Sequence, residues 1–108
     1  MSLDENRFAA LADQMLESIA DAIDEKLGDE IDVELQHGIL TLTLEGGGQY
    51  VINKHAPNRE IWLSSPVSGA AHFAFADDGW VSTREPRHRL DAVLKAEMKA
   101  KFGADLEF

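Results

Sequence analysis

Apolar residues recur every three or four positions at the start of the chain, as Phe8, Leu11, Met15, Ile19, Ile23 and Leu27. That spacing marks one face of an amphipathic helix. Ser2-Leu3-Asp4-Glu5 reads as a capping box, with Ser2 as N-cap and Glu5 three residues on, and Gly28 is the expected C′ residue. From Ile31 the period changes to two. Ile31-Asp32-Val33-Glu34-Leu35 alternates apolar and acidic residues, as a half-buried strand does. His37-Gly38 turns the chain into a second strand with Leu40, Leu42 and Leu44 on one face and Thr41, Thr43 and Glu45 on the other. Gly46-Gly47-Gly48 predicts a hairpin turn, and Tyr50–Lys54 a third strand. His55–Asn58 reads as a loop, Glu60–Ser64 as a fourth strand. His72–Phe75 and Trp80–Ser82 follow, joined by Asp77-Asp78-Gly79. After Pro86, Leu90, Val93, Leu94, Met98 and Phe102 return to helical spacing, Gly103 ends that helix, and a tail with Leu106 and Phe108 is placed to fold back. Short connections favour antiparallel neighbours. The pattern predicts an α+β two-layer sandwich: two terminal helices on one face of an antiparallel sheet of about six strands.

Composition narrows the function. At 108 residues and 44% hydrophobic, the chain is expected to form one domain, residues 1–108, with its own core. No apolar run approaches the roughly 20 residues of a membrane span. Met1 to Asn6 has neither the basic nor the apolar region of a secretory signal. The sequence has no cysteine, which points to the cytosol as compartment. It also leaves no thiolate to hold a cluster and no site for a persulfide.

Charge is distributed unevenly. Residues 1–45 carry twelve Asp/Glu against Arg7 and Lys26, whereas residues 46–108 carry eight acids and eight Lys/Arg. The whole net charge of −10 therefore lies in the first part of the chain. Such a field repels nucleic acid and anionic membranes and attracts metal cations and basic protein surfaces.

On a helical wheel with Phe8 at zero, Leu11, Met15, Ile19 and Ile23 fall within about 60° of it, and Asp13, Glu17, Asp21 and Asp24 between about 140° and 220°. Glu25 lies at the edge of that stripe. Neighbouring carboxylates three or four residues apart repel, and no Lys or Arg is interleaved. Asp29 and Glu30 extend the strip through the turn, and Asp32 and Glu34 carry it onto the outer face of the first strand. An acidic stripe is ordinarily a solvated face; its uniform sign and the neutral remainder of the chain put a role in binding on an equal footing with that reading. Carboxylate oxygens suit hard or borderline cations, and donors spread along a surface give several weak, partly hydrated sites.

No catalytic motif is present: no GxSxG, Walker motif or dinucleotide fingerprint. His37, His55, His72 and His88 are scattered without ligand spacing and read as structural or surface residues. Trp62 stands apart. Alternation turns Ile61 and Leu63 inward and Trp62 outward with Glu60 and Ser64, beside Val51 and Asn53 on the neighbouring strand. An outward Trp beside Asn53 and Arg59 has the character of a binding hot spot; cover by the Val67–Ala71 loop is the alternative. Trp80 is assigned to the core.

The run Tyr50-Val51-Ile52-Asn53-Lys54-His55-Ala56-Pro57-Asn58-Arg59-Glu60-Ile61-Trp62-Leu63-Ser64-Ser65-Pro66 resembles the signature of the bacterial frataxin (CyaY) family. Ser68-Gly69, Gly79-Trp80-Val81 and Leu11-Ala12-Asp13-Gln14 continue the likeness, which spans nearly the whole chain. The resemblance implies a non-enzymatic accessory protein of iron–sulfur cluster assembly that binds Fe2+ and Fe3+ weakly. Its partners would be a cysteine desulfurase and the scaffold protein, and without iron it would be a monomer. It implies an acidic iron-binding ridge at Asp13, Glu17, Asp21, Asp24, Glu25, Asp29, Glu30, Asp32 and Glu34, and partner contacts at Asn53, Pro57, Asn58, Arg59 and Trp62. Ala20 and Ala22 interrupt the ridge where relatives can be more acidic, and His72 stands where mitochondrial relatives carry a basic residue. Two functions use the same acids: a metal-binding regulator of cluster assembly, and a metal-independent acidic adaptor that docks on a basic partner. A ferroxidase would need a dedicated ligand pair that the sequence does not display.

Overall fold

The computed structural model describes residues 4–76 and 78–108. Its first helix, α1 (Glu5–Leu27), opens on Asp4, whose carboxylate accepts the Arg7 N–H at 2.8 Å. Asp4 is therefore the N-cap, and the capping box expected at Ser2 lies outside the described residues. Gly28 closes the helix with right-handed φ of −59°, not the left-handed cap expected of it. Space explains the glycine there: a Cβ would stand 2.5 Å from the Asp24 carbonyl oxygen.

Six strands follow: β1 (Ile31–Gln36), β2 (Ile39–Leu44), β3 (Gln49–His55), β4 (Glu60–Ser65), β5 (Gly69–Ala76) and β6 (Gly79–Ser82). They pair in chain order, every pair antiparallel, so the sheet is a plain meander with β1 and β6 at its edges. The β1–β2 turn needs positive φ at both central residues, and His37 (55°) and Gly38 (76°) supply it. The loop expected at His55–Asn58 is a short 3-10 turn, Ala56–Asn58. β5 begins three residues earlier than alternation predicts, because Gly69, Ala70 and Ala71 pair with β4 without an apolar signature. The second helix, α2 (Leu90–Phe102), ends on Gly103 at φ 69°, a left-handed cap.

Both helices lie on one face of the sheet. The core joins Leu40, Leu42, Tyr50, Ile52, Ile61, Leu63, Phe73 and Trp80 of the sheet to Leu90, Leu94 and Met98 of α2. α1 contributes Phe8, Ala12, Leu16, Ile19, Ala20, Ile23 and Leu27, while Leu11 and Met15 are only half-buried. The buried face is thus rotated by roughly 40° from the one predicted. The tail returns over the helices: Leu106 is buried, the Asp105 carbonyl accepts from Lys26 Nζ at 2.7 Å, and the Phe108 carbonyl accepts from Lys95 Nζ at 3.0 Å. No described helix is long and apolar enough to cross a membrane.

One carboxylate ties α2 to the sheet. Glu97 Oε1 accepts from the Tyr50 hydroxyl at 2.7 Å and Ser65 Oγ at 2.6 Å, and Oε2 accepts from Ser68 Oγ at 2.7 Å. Burial and the adjacent Glu97 charge raise the Tyr50 hydroxyl well above its ordinary value of 10.0. The folded chain therefore holds this proton where the unfolded chain releases it. The stability it contributes is full below about pH 10 and falls as pH rises beyond that. Tyr50 is the only tyrosine, so alkaline spectrophotometric titration reads it directly. No phenolate band should emerge through the usual tyrosine range until the protein unfolds. Tyr50→Phe should cost about 1 kcal/mol at neutral pH by urea denaturation, and it should flatten the alkaline loss of stability.

Candidate functional site: a carboxylate flank and an aromatic sheet face

The rotation of α1 moves its acids. With Ala12, Leu16 and Ala20 in the core, the stripe of Asp13, Glu17, Asp21 and Asp24 lies along the flank of the helix rather than opposite its buried face. Ala20 is core and does not interrupt the stripe at all. Asp13 borders the seam between helix and sheet, and Lys54, at the far end of β3, reaches it at 2.8 Å. The sequence along the helix offers no cation there; the fold supplies one from another element. Lys54 is about one-quarter exposed and Asp13 half exposed, so the pair is partly solvated and worth at most about 1 kcal/mol.

The other candidate acids have no such partner. Glu17, Asp21, Asp24, Glu25, Asp29, Glu30, Asp32 and Glu34 are all exposed, and among the described residues none of them is in an ion pair. β1 is an edge strand, so Asp32 and Glu34 stand at the rim of the sheet. Among the described residues, no three or more His, Cys, Asp or Glu side chains converge closely enough to form a chelating cage. Chemically the flank is a line of separate carboxylates along a helix, a turn and a strand.

The outer face of the sheet carries the second set. Ile61 and Leu63 are buried, and Trp62 faces outward opposite Asn53 of β3 and His72 of β5. Two histidine rings give part of its cover. The His55 ring stacks on one side at 3.6 Å between centroids and the His72 ring on the other at 4.1 Å, both nearly parallel to the indole. Trp62 Nε1 donates to Glu60 Oε1 at 2.8 Å. Pro57 and Asn58 are exposed in the turn that joins β3 to β4, and Arg59 closes that turn with φ of 52°. The fold therefore gathers Asn53, Pro57, Asn58, Arg59 and Trp62 along two neighbouring strands and their connection. His55 Nδ1 and Arg59 Nε are buried without a hydrogen-bond partner among the described residues. Breaches of polar satisfaction of this kind collect at functional surfaces.

Sequence reasoning treats His55 and His72 as unrelated. The signal that joins them is register: in an antiparallel meander, His72 falls opposite Trp62 and His55 opposite Glu60.

A frataxin-like domain model matches residues 1–104. The chain belongs to the frataxin family. It is 38% identical over 88 residues to the mitochondrial frataxin homolog of Saccharomyces cerevisiae, covering 82% of this chain and 51% of that protein. It is 36% identical over 111 residues to the mitochondrial frataxin of Arabidopsis thaliana, covering 97% of this chain and 59% of that one. The chain spans about half the length of the curated relatives it matches. Among solved structures, a frataxin from Psychromonas ingrahamii superposes with a TM-score of 0.83 over 97% of both chains; at 23% identity that likeness speaks to the fold. A trimeric yeast frataxin solved in complex with ferrous iron superposes at 0.73, with 36% identity over 96% of this chain and 90% of that one.

The ring stack bears on stability. Trp62→Ala should cost about 1–2 kcal/mol, the worth of two stacking contacts. Trp80→Ala, which empties a buried site, should cost about 3–5 kcal/mol. Urea denaturation of both variants checks the contrast; equal losses would place Trp62 in the core.

Proposed function

We propose that this frataxin-family chain regulates iron–sulfur cluster assembly, binding Fe2+ or Fe3+ weakly along its acidic ridge and docking on a cysteine desulfurase–scaffold complex. The observation that carries the reading is the row of eight exposed carboxylates, from Glu17 to Glu34, without ion pairs among the described residues. Uncompensated like charges along a helix cost folding free energy, and a cation recovers it. Monodentate oxygen donors on an open surface suit iron held with part of its hydration shell, as cargo rather than as a resident cofactor. Asp13, already paired with Lys54, stands at the margin of this ridge. The sequence holds no cysteine, so sulfur and cluster would sit on the partners. Trp62, Asn53 and the Pro57–Arg59 turn are the anchors for that docking, since a Trp buried at an interface is typically worth about 2 kcal/mol or more.

An anaerobic Fe2+ titration followed by NMR at physiological salt tests the reading. Selective broadening from Glu17 to Glu34 is the expected result; uniform or absent change would favour the metal-independent acidic adaptor. Asp21→Asn with Asp24→Asn should raise stability by about 0.2–0.5 kcal/mol without metal, through relief of repulsion. The same pair should reduce the rise in melting temperature that millimolar divalent cation produces. Trp62→Ala should leave the iron titration unchanged and weaken capture of the desulfurase–scaffold complex by about thirtyfold or more.

A further inference from the structure

The two edges of the sheet are finished differently. At β6, the segment leading into α2 folds back along the strand: Val81 bridges to Arg89, and the Ser82 N–H donates to the His88 carbonyl at 2.8 Å. At β1, which α1 covers from one face only, no further strand pairs with the outer edge among the described residues. The register identifies which backbone groups are left over. The Glu45 N–H donates to the Glu30 carbonyl at 3.1 Å, so Glu30 and Glu45 form a hydrogen-bonded pair. Antiparallel pairs alternate. Asp32, Glu34 and Gln36 therefore direct their N–H and C=O groups to β2, in register with Thr43, Thr41 and Ile39. Ile31, Val33 and Leu35 direct theirs off the sheet.

The side chains along this edge are sorted as well. Asp32, Glu34 and Gln36 stand on the outer face, all exposed, while Val33 is half-buried and Leu35 is 38% exposed on the helix-bearing side. An unpaired edge is a template for another strand. A second copy of this chain is a poor fit, because pairing β1 with β1 sets acids against acids. A strand that alternates basic and apolar residues fits on both faces: its Lys or Arg side chains would lie beside Asp32 and Glu34, and its apolar ones over Val33 and Leu35.

We infer that β1 is a docking edge for an extended basic segment of a partner protein, which joins the sheet as a seventh strand through the outward amides of Val33 and Leu35. This goes beyond the proposed function and needs no iron, so it stands or falls separately from the ridge as a metal site. Main-chain hydrogen bonds give such strand addition its strength, and side-chain alternation gives it selectivity.

The probe is a capped peptide of about six residues alternating Lys and Val. Two controls accompany it: the same peptide with alternate backbone nitrogens methylated, and a Glu–Val peptide. With metal-free, isotope-labelled protein, the Lys–Val peptide should slow hydrogen exchange at Val33 and Leu35 by about tenfold or more at saturation. Neither control should do so. Leu35→Pro removes an outward N–H at an edge position where proline is tolerated; it should leave melting nearly unchanged and abolish the protection. Equal binding of the methylated peptide would reduce the effect to charge attraction and overturn strand addition. Equal protection by the Glu–Val peptide would overturn the basic selectivity, and absence of protection at Val33 and Leu35 would overturn the docking edge itself. The peptide comparison uses the unaltered chain, so it decides the matter even if the proline variant fails to fold.

Discussion

The seating of α1 on the sheet is the contact from which the placement of charge follows. Its buried face is built from Phe8, Leu16, Ile19, Ile23 and Leu27, interleaved with Ala12 and Ala20. Each large side chain taken from water contributes about 1.5–3 kcal/mol, far more than any single surface charge gains or costs. The apolar face therefore chooses how the helix rolls, and the acids go where that roll leaves them. The two small alanines let the helix roll toward its acidic side. Asp13 is carried to the seam, where Lys54 meets it, and the acids beyond it stay in water.

That arrangement connects the two candidate surfaces through one strand. Lys54 on β3 faces the helix and holds Asp13, while its neighbours Asn53 and His55 face outward at Trp62. Successive residues of a strand point to opposite faces, so three consecutive positions serve both the carboxylate flank and the aromatic patch. The outer patch has its own internal order. Three rings from three strands stack in a column, and Glu60 fixes the indole by its N–H.

Much of this was legible in the chain. The change from period four to period two at Ile31, and back near Leu90, located the helices and the meander, and alternation alone turned Trp62 outward. The errors have physical sources. Alanine is neutral in an apolar count, so periodicity passes over Ala12 and Ala20 and sets Leu11 and Met15 too near the centre of the buried face. Gly69-Ala70-Ala71 has no alternation to announce a strand; its pairing with β4 comes from the neighbour rather than from its own side chains. The Asp13–Lys54 bridge and the three hydroxyls on Glu97 join residues far apart in sequence, and no local pattern encodes them. The His55–Trp62–His72 column lies between these cases. It is recoverable, but only after the strand register is known.

A sheet whose strands pair strictly with their chain neighbours has a consequence for how the molecule assembles. Each of the five strand pairings closes over a short connection, so the entropy spent on loop closure stays small at every step. Topologies rich in local contacts cross their folding barrier quickly. The two ends of the chain meet separately, where Phe8 of α1 packs edge-on against Trp80 and where Lys26 reaches across to Asp105 in the tail. The meander can therefore form by successive addition of hairpins, leaving the seating of α1 and the clasp of the tail as the long-range closures.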